Sequence, residues 1–478
     1  MIADLKPYPE YKESGLQWLG RVPAHWEVER AKSIFQSIDL RSKTGNEELL
    51  TVSSARGVVP RNTATVTMFK AESYLGYKLC WPDDLVINSL WAWGGGLGVS
   101  SHHGIINSAY GVYRIRPTAR MTPAFVHQLV RSSPFNWELH VRSKGIWISR
   151  LQLTDESFLD TPMHIPPHSE QAAIVRFIDH ADRRIRRYIG VKQKLVKLLE
   201  EQKHSIIYGA VAHGLDPNVR LKPSGEAWLG SVPLHWSVAS LRFRYAQCLG
   251  KMVDAKQVTG KHLIPYLRNV DVRWDRINTI DLPLIDIAPH EIERFTVRVG
   301  DLLVCEGRHL GRCAFWNGEV ETCAFQKALH RLRPLNTDTD VPRFLFFCMC
   351  LAYARDAFNM NKVDNTIPHL TGEMLRAHRF AFPPIEEQRA IAAYLDSATE
   401  GIESTAVVAK TEIALLREYR TRLIADVVTG KLDVRAAAAG LPDEVDEAGP
   451  LVDADAVEED DESVGGDALD AAPNEAEV

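Results

Sequence analysis

No stretch of these 478 residues approaches the roughly 18 consecutive apolar residues of a membrane span. The opening Met1-Ile2-Ala3-Asp4-Leu5-Lys6 also lacks the apolar core of a secretion signal. Both absences point to a cytoplasmic protein. The seven cysteines (80, 248, 305, 313, 323, 348 and 350) contain no Cys-x-x-Cys and are odd in number, so no disulfide framework is expected. No phosphate-cradling Gly-x-x-x-x-Gly-Lys-Ser/Thr exists. Gly250-Lys251 runs into Met252, Gly260-Lys261 into His262 and Gly430-Lys431 into Leu432, which excludes ATP-driven translocation by this chain. The run Trp93-Gly94-Gly95-Gly96-Leu97-Gly98-Val99 lacks the Gly-x-Gly-x-x-Gly spacing and a βαβ setting, and reads as a flexible turn. An amino-methyltransferase needs Asn or Asp before Pro-Pro-aromatic to hold a flipped base, and here the pairs read Ile165-Pro166-Pro167-His168 and Phe382-Pro383-Pro384-Ile385. His102-His103 and Cys348-x-Cys350 lack partners at zinc spacing. Neither a catalytic residue nor a metal ligand is assigned.

Positive and negative charge are unevenly spread. From Gly440 to Val478 there are 15 Asp and Glu and no Lys, Arg or aromatic residue, so that stretch is expected to be disordered. Residues 1–439 then hold 56 basic and 47 acidic side chains, net +9, which suits a polyanionic partner as well as an ordinary solvated surface.

What is present is duplication. Trp18-Leu19-Gly20-Arg21-Val22-Pro23-Ala24-His25-Trp26 returns 210 residues on as Trp228-Leu229-Gly230-Ser231-Val232-Pro233-Leu234-His235-Trp236. Pro166-Pro167-His168-Ser169-Glu170-Gln171 returns 217 residues on as Pro383-Pro384-Ile385-Glu386-Glu387-Gln388. Asp84-Leu85-Val86-Ile87 aligns at the same offset with Asp301-Leu302-Leu303-Val304, and Arg116-Pro117 with Arg333-Pro334. A period this long is no solenoid. Each copy runs from the Trp-Leu-Gly element through a mixed, strand-rich region into a long helix. The first helix has Ser169 as a candidate N-cap and a 3/4-spaced stripe through Ile174, Ile178, Ala181, Ile185, Tyr188, Lys192, Leu195, Leu199, Gln202 and Ile206. The second repeats it through Ile391, Leu395, Ala398, Ile402, Thr405, Ala409, Glu412, Leu416, Tyr419 and Leu423. Some 38 residues at about 1.5 Å each make a helix of roughly 57 Å. Neither helix can bury its stripe alone. Antiparallel pairing of the two is the economical solution, and folding back on the parent domain is the alternative.

The expected fold is therefore α+β: two pseudo-twofold-related copies, each a mixed α/β domain followed by a long helix, with the helices paired as an antiparallel coiled coil. The expected boundaries are 1–165 and 216–382 for the mixed domains, 166–215 and 383–435 for the helices, and 436–478 for the acidic tail. The helix-pairing candidates are Ile174, Ile178, Ile185, Leu195, Leu199, Ile391, Leu395, Ile402, Leu416 and Leu423. Polar and aromatic residues of the mixed regions are candidates for nucleic-acid contact, since Arg and Asn make bidentate bonds to guanine and adenine edges. They are Arg56, Arg61, Asn62, Trp91 and Trp93 in copy one, and Arg268, Asn269, Arg273, Trp274, Arg276, Arg308 and Arg312 in copy two.

The order of elements resembles DNA specificity subunits of type I restriction-modification systems. The residues carrying the resemblance are Tyr11 to Gly20 with Val22-Pro23-Ala24-His25-Trp26, the second form Gly225 to Trp236, the two Pro-Pro-x-x-Glu-Gln helix starts, and Val428-Thr429-Gly430-Lys431-Leu432-Asp433. Together they cover about residues 8 to 435. The resemblance implies that each mixed region is a target recognition domain reading one half of a split, asymmetric site in double-stranded DNA, with the paired helices as a spacer. It also implies a non-catalytic chain that docks two modification subunits and, through them, restriction subunits. S-adenosylmethionine, ATP and magnesium would then sit on those partners, with adenine methylation and ATP-dependent cleavage carried out by the complex. Three competing readings are a specificity subunit serving a fused restriction-modification polypeptide, a self-contained DNA methyltransferase or nuclease with a non-standard site, and a non-DNA adaptor.

Overall fold

The computed structural model describes residues 5–63, 73–145, 151–252, 260–307, 309–358 and 369–442. The chain divides into two compact units, Met1–Lys194 with Lys410–Asp460, and Leu195–Ala409 with Asp461–Val478. Unit 1 thus takes the first mixed region, the start of the first long helix (His168–Tyr208) and the end of the second (Ile385–Val428), while unit 2 takes the second mixed region and the complementary helix parts.

Both units are built on the same antiparallel four-stranded sheet. In unit 1 the order is Phe35–Ser37, Gly111–Ile115, Leu85–Ile87, Leu97–Val99, and in unit 2 it is Tyr245–Leu249, Leu329–Pro334, Leu302–Cys305, Cys313–Phe315. The inner strands Leu85-Val86-Ile87 and Leu302-Leu303-Val304-Cys305 are buried throughout, as continuous apolar runs require. Each sheet is pinned by a bidentate ion pair: Arg114 donates to Asp84 at 2.7 and 2.8 Å, and Arg333 to Asp301 at 2.7 and 2.7 Å. The register corrects the sequence alignment here. Tyr113 lies opposite Leu85 and Leu332 opposite Leu302, so the counterpart of Arg333 is Arg114 rather than Arg116. Arg116 instead donates to the carbonyls of Lys32 and Phe35.

A second ladder closes each mixed region on itself. The strand after His-Trp pairs with the strand before Pro-Pro: Glu27–Arg30 with Pro162–Ile165, and Ser237–Ser240 with Arg379–Phe382. The chain therefore leaves each mixed region beside the point where it came in, and the long helix starts there. The first helix begins at His168, two residues earlier than a Ser169 cap would place it, and the second begins at the equivalent Ile385. The carbonyl of Pro167 accepts from the N–H groups of Glu170 and Gln171, and that of Pro384 from Glu387 and Gln388, so the second proline of each pair opens the helix.

The helices span 41 and 44 residues. In unit 1 they run antiparallel. Asp182 of the first pairs with Arg420 of the second, and Lys192 with Glu412 at 2.6 Å. In unit 2 Lys203 pairs with Glu403 at 2.5 Å. The buried stripe of the first helix follows Ile174, Ile178, Ala181 and Ile185 as expected, then passes through Ile189 and Val196. Leu195 is 37% exposed, Tyr188 is 53% exposed and Leu199 is half-buried. A strict 3.5-residue repeat drifts against a 3.6-residue helix by about 20° per heptad, which moves the inward place by one residue over this length. On the second helix Ile391, Leu395 and Leu423 are buried and Ile402 and Leu416 half-buried, with Ala409 and Ile413 also inward.

All seven cysteines are free thiols, and among the described residues no helix is long and apolar enough to cross a membrane. The acidic stretch starts later than residue 436. Arg435–Ala439 forms a short helix, Ala438 and Leu441 are buried, and Arg176 donates to the Leu441 carbonyl at 2.5 Å, so these alanines and Leu441 pack before the acidic residues begin. Residues 443–478 lie outside the described residues.

Candidate nucleic-acid interface

The repeated motifs turn out to be a clamp between each mixed region and the helices. A buried tryptophan must find an acceptor for its N–H, and each clamp supplies a glutamate from the first turn of a long helix. Trp26 Nε1 donates to Glu170 at 2.9 Å and Trp236 Nε1 to Glu387 at 3.1 Å. The preceding histidines reach the same carboxylates, His25 at 2.6 Å and His235 at 2.8 Å. The glutamine that follows is fully buried in both copies and satisfied from both ends. Gln171 donates to the carbonyls of Arg120 and Pro166 and accepts from the Thr122 N–H at 2.8 Å; Gln388 donates to Thr339 and Pro383 and accepts from the Val341 N–H at 2.9 Å. Thus Pro-Pro-x-x-Glu-Gln starts the helix, holds His-Trp with Glu, and with Gln ties down the loop that enters Pro123–Val130 in unit 1 and Pro342–Ala354 in unit 2.

The far helix ends dock on the same tryptophans. Gly430, in the left-handed region at φ 75°, lies where a Cβ would be 2.5 Å from the Pro23 ring and 2.8 Å from Trp26. Gly214, at φ 77°, faces Trp236 and Glu387 in the same way. A side chain at either position would be strained and, at Gly430, would collide.

Unit 1 adds more to its clamp. The Tyr8 hydroxyl donates to Glu170 at 3.2 Å, and burial together with that carboxylate pushes its pKa up. Arg435 reaches Glu170 at 3.3 Å and lies over the Tyr8 ring. His164 stacks on Trp26 with 7° between ring planes, and its Nε2–H donates to the Val428 carbonyl at 2.7 Å, satisfying the end of the second helix. Complete burial pushes the His164 pKa down to about 4. Sequence reasoning quoted several of these residues without giving them a role, and missed Tyr8 and His164. The signal for the shared core, Glu, Gln and His-Trp, was the repeat itself.

Trp91 and Trp93 of unit 1 and Arg312 of unit 2 fall on loops that occupy one place on the common sheet, and the other described candidates lie on separate turns. In unit 1 residues 88–96 join Leu85–Ile87 to Leu97–Val99 and carry Trp91, 40% exposed, and the half-buried Trp93, whose Nε1 donates to the Leu90 carbonyl. The turn holding the exposed Arg56 adjoins it, because Arg131 donates to the carbonyls of Ser53, Ser54, Ala55 and Leu97 together. Arg56 itself donates to the Thr63 carbonyl, and Arg61 (half-buried) and Asn62 (exposed) form the short turn that follows. In unit 2 residues 306–312 take the corresponding place. Arg312 there is 4% exposed and donates to the backbone and side-chain oxygens of Asn269, so it braces the loop from within. Asn269 in turn donates to the Gly307 carbonyl. Arg268 forms a two-bond pair with Asp271; Arg273 is half-buried and Arg276 exposed on the hairpin Val272–Arg273/Arg276–Ile277. Trp274 packs edge-on against Phe346 and Tyr353. Arg308 lies outside the described residues.

Residues 250–413 match the family model described as the type I restriction modification DNA specificity domain. Residues 250–413 are similar to that specificity domain. Its match takes in most of the unit 2 mixed region and the first two thirds of the second long helix. Among curated proteins, the chain is 25% identical over 179 residues to a putative type I restriction enzyme MjaX specificity subunit of Methanocaldococcus jannaschii, a match over 35% of this chain and 40% of that relative's length. Among solved structures, one from work on complex assembly and conformational transition of the type I R-M system superposes with a TM-score of 0.64 at 17% identity, over 86% of this chain and 99% of that one. The HsdS subunit from Thermoanaerobacter tengcongensis gives 0.44 at 17% identity over 85% and 96% of the two chains. The resemblance read from the repeated motifs is borne out, and the specificity domain's α+β fold is shared with a solved type I structure.

Proposed function

We propose that this chain is the DNA-reading, non-catalytic subunit of a type I restriction-modification complex. Each mixed region reads one half of a bipartite, asymmetric duplex site, and the paired helices set the distance between the halves. The helices also dock two modification subunits, which bring S-adenosylmethionine and the adenine-methylating site, and through them restriction subunits that use ATP and magnesium. The observation that carries this reading is one sheet and one clamp built twice, with unlike loops at the same place. A shared frame with divergent loops suits two different DNA words better than it suits one active site. Lysine and arginine contacts to phosphate would place each unit, and base-edge contacts would specify.

Incubation with labelled S-adenosylmethionine and DNA tests it. The chain alone is expected to transfer no methyl group, and the chain assembled with its modification subunit is expected to methylate adenines in one bipartite motif. Transfer by the chain alone would favour a self-contained methyltransferase. Failure of the assembled complex to bind DNA even at low salt would favour a non-DNA adaptor.

A further inference from the structure

The loops on the common sheet are held in place by opposite means. In unit 2 the 306–312 loop is braced by a guanidinium, Arg312, turned inward onto Asn269. The 88–96 loop of unit 1 is braced by its own backbone. Asn88 N–H donates to the Gly96 carbonyl at 2.8 Å, and the Gly94 and Gly96 N–H groups donate to the Trp91 carbonyl at 3.1 and 3.0 Å. The Trp91 indole lies directly on that backbone: a Cβ on Gly94 would stand 2.1 Å from its Nε1 and 2.6 Å from its Cδ1. Gly96 is equally close-packed, with its Cβ position 2.9 Å from the Trp91 carbonyl oxygen. The glycines thus seat a large aromatic ring on a rigid loop and leave it 40% exposed beside Leu90, which is 55% exposed. Leaving such a ring uncovered forfeits hydrophobic stabilisation, so the sequence keeps it there against folding stability. The adjoining turn carries the exposed Arg56, whose guanidinium donates to the Thr63 carbonyl.

We propose that Trp91 is the specificity-determining residue of the unit 1 half-site, reading a base by apolar contact. The inference rests on the DNA-reading function proposed above. The contacted group is a thymine methyl in the major groove or the face of a partly opened base step, both of which take a flat apolar surface and neither of which needs a guanidinium. The 88–96 loop of unit 1 contains no arginine, whereas the unit 2 loop has Arg308 in its sequence and Arg312 turned inward as its brace.

Methylated adenines are mapped across genomic DNA from cells expressing the whole system with the wild-type chain, Trp91→Ala, Trp91→Phe or Gly94→Ala. Trp91→Ala is expected to relax one or two positions of a single half-site, lowering discrimination there by roughly 5- to 150-fold, and to leave the other half-site and the gap unchanged. Gly94→Ala keeps the indole but displaces it, and is expected to relax the same positions; Trp91→Phe is expected to retain them. Replacing thymine by uracil in an oligonucleotide of the mapped site separates the two contacts, weakening only the methyl contact. A Trp91→Ala motif identical to wild type, or one degraded equally in both halves, overturns the proposal while the DNA-reading function stands. Absence of any bipartite motif with the wild-type chain overturns that function itself.

Discussion

Glu170 and Glu387 stand at the same turn of equivalent helices, yet they hold different loads. Glu170 is met by Tyr8, His25, Trp26 and Arg435 with its side chain 7% exposed, whereas Glu387 is met by His235 and Trp236 with 28% exposed. The extra partners of Glu170 come from the two segments that flank the frame in unit 1, residues before Tyr11 and after Gly430. The same carboxylate at the same place therefore gathers three segments onto its helix in one unit and one in the other. The cost of losing it should follow the number of donors stranded rather than the motif it belongs to.

The largest expected effect tests that difference. Glu170→Ala leaves a buried indole N–H and a buried hydroxyl unpaired and is expected to cost about 3 kcal/mol, against about 1 kcal/mol for Glu387→Ala. Urea unfolding of the two variants side by side measures it, and equal losses would erase the distinction between the clamps.

Acid is expected to act on unit 1 through His164. Its folded-state pKa of about 4 lies below the ordinary value near 6.5, so between those limits the unfolded chain binds more protons and stability falls as pH falls. The effect is fully absent above pH 6.5 and complete below pH 4, at up to about 3 kcal/mol. His164→Gln keeps a donor for the Val428 carbonyl and removes the titration, so its stability is expected to fall less over that window. A slope unchanged from wild type would show that His164 does not titrate there.

The smallest effects belong to the ion pairs joining the helices. Lys192→Ala and Lys203→Ala break partly exposed pairs and are expected to cost less than about 1 kcal/mol each, shrinking further in high salt. A larger loss would mean that the pairs, rather than the apolar stripe, hold the helices.

How much of this was legible in the sequence follows from what each residue must do. His25-Trp26, Glu170-Gln171 and their counterparts make the same bonds twice, so the repeat exposed them. The Asp84–Arg114 pair was half legible: Asp84 and Asp301 align at 217, but two extra residues before the partner strand of unit 2 hid Arg114 behind Arg116. The helix stripe was read correctly to Ile185 and then drifted, because a 3.5-residue count falls out of step with a 3.6-residue helix. Arg312 looked like a base-reading group by type alone, and only its burial against Asn269 reveals that it is turned inward. Tyr8 and His164 belong to unit 1 alone, so no comparison of copies could single them out.

The proposed function has the paired helices set the gap between the two half-sites. Four residues inserted after Leu195, at the boundary between the units, lengthen the first long helix by about 6 Å, against a base-pair rise of about 3.4 Å. Mapping methylated adenines made by the assembled complex is expected to show both half-sites intact and the gap between them changed. An unchanged gap with both half-sites intact would contradict the account.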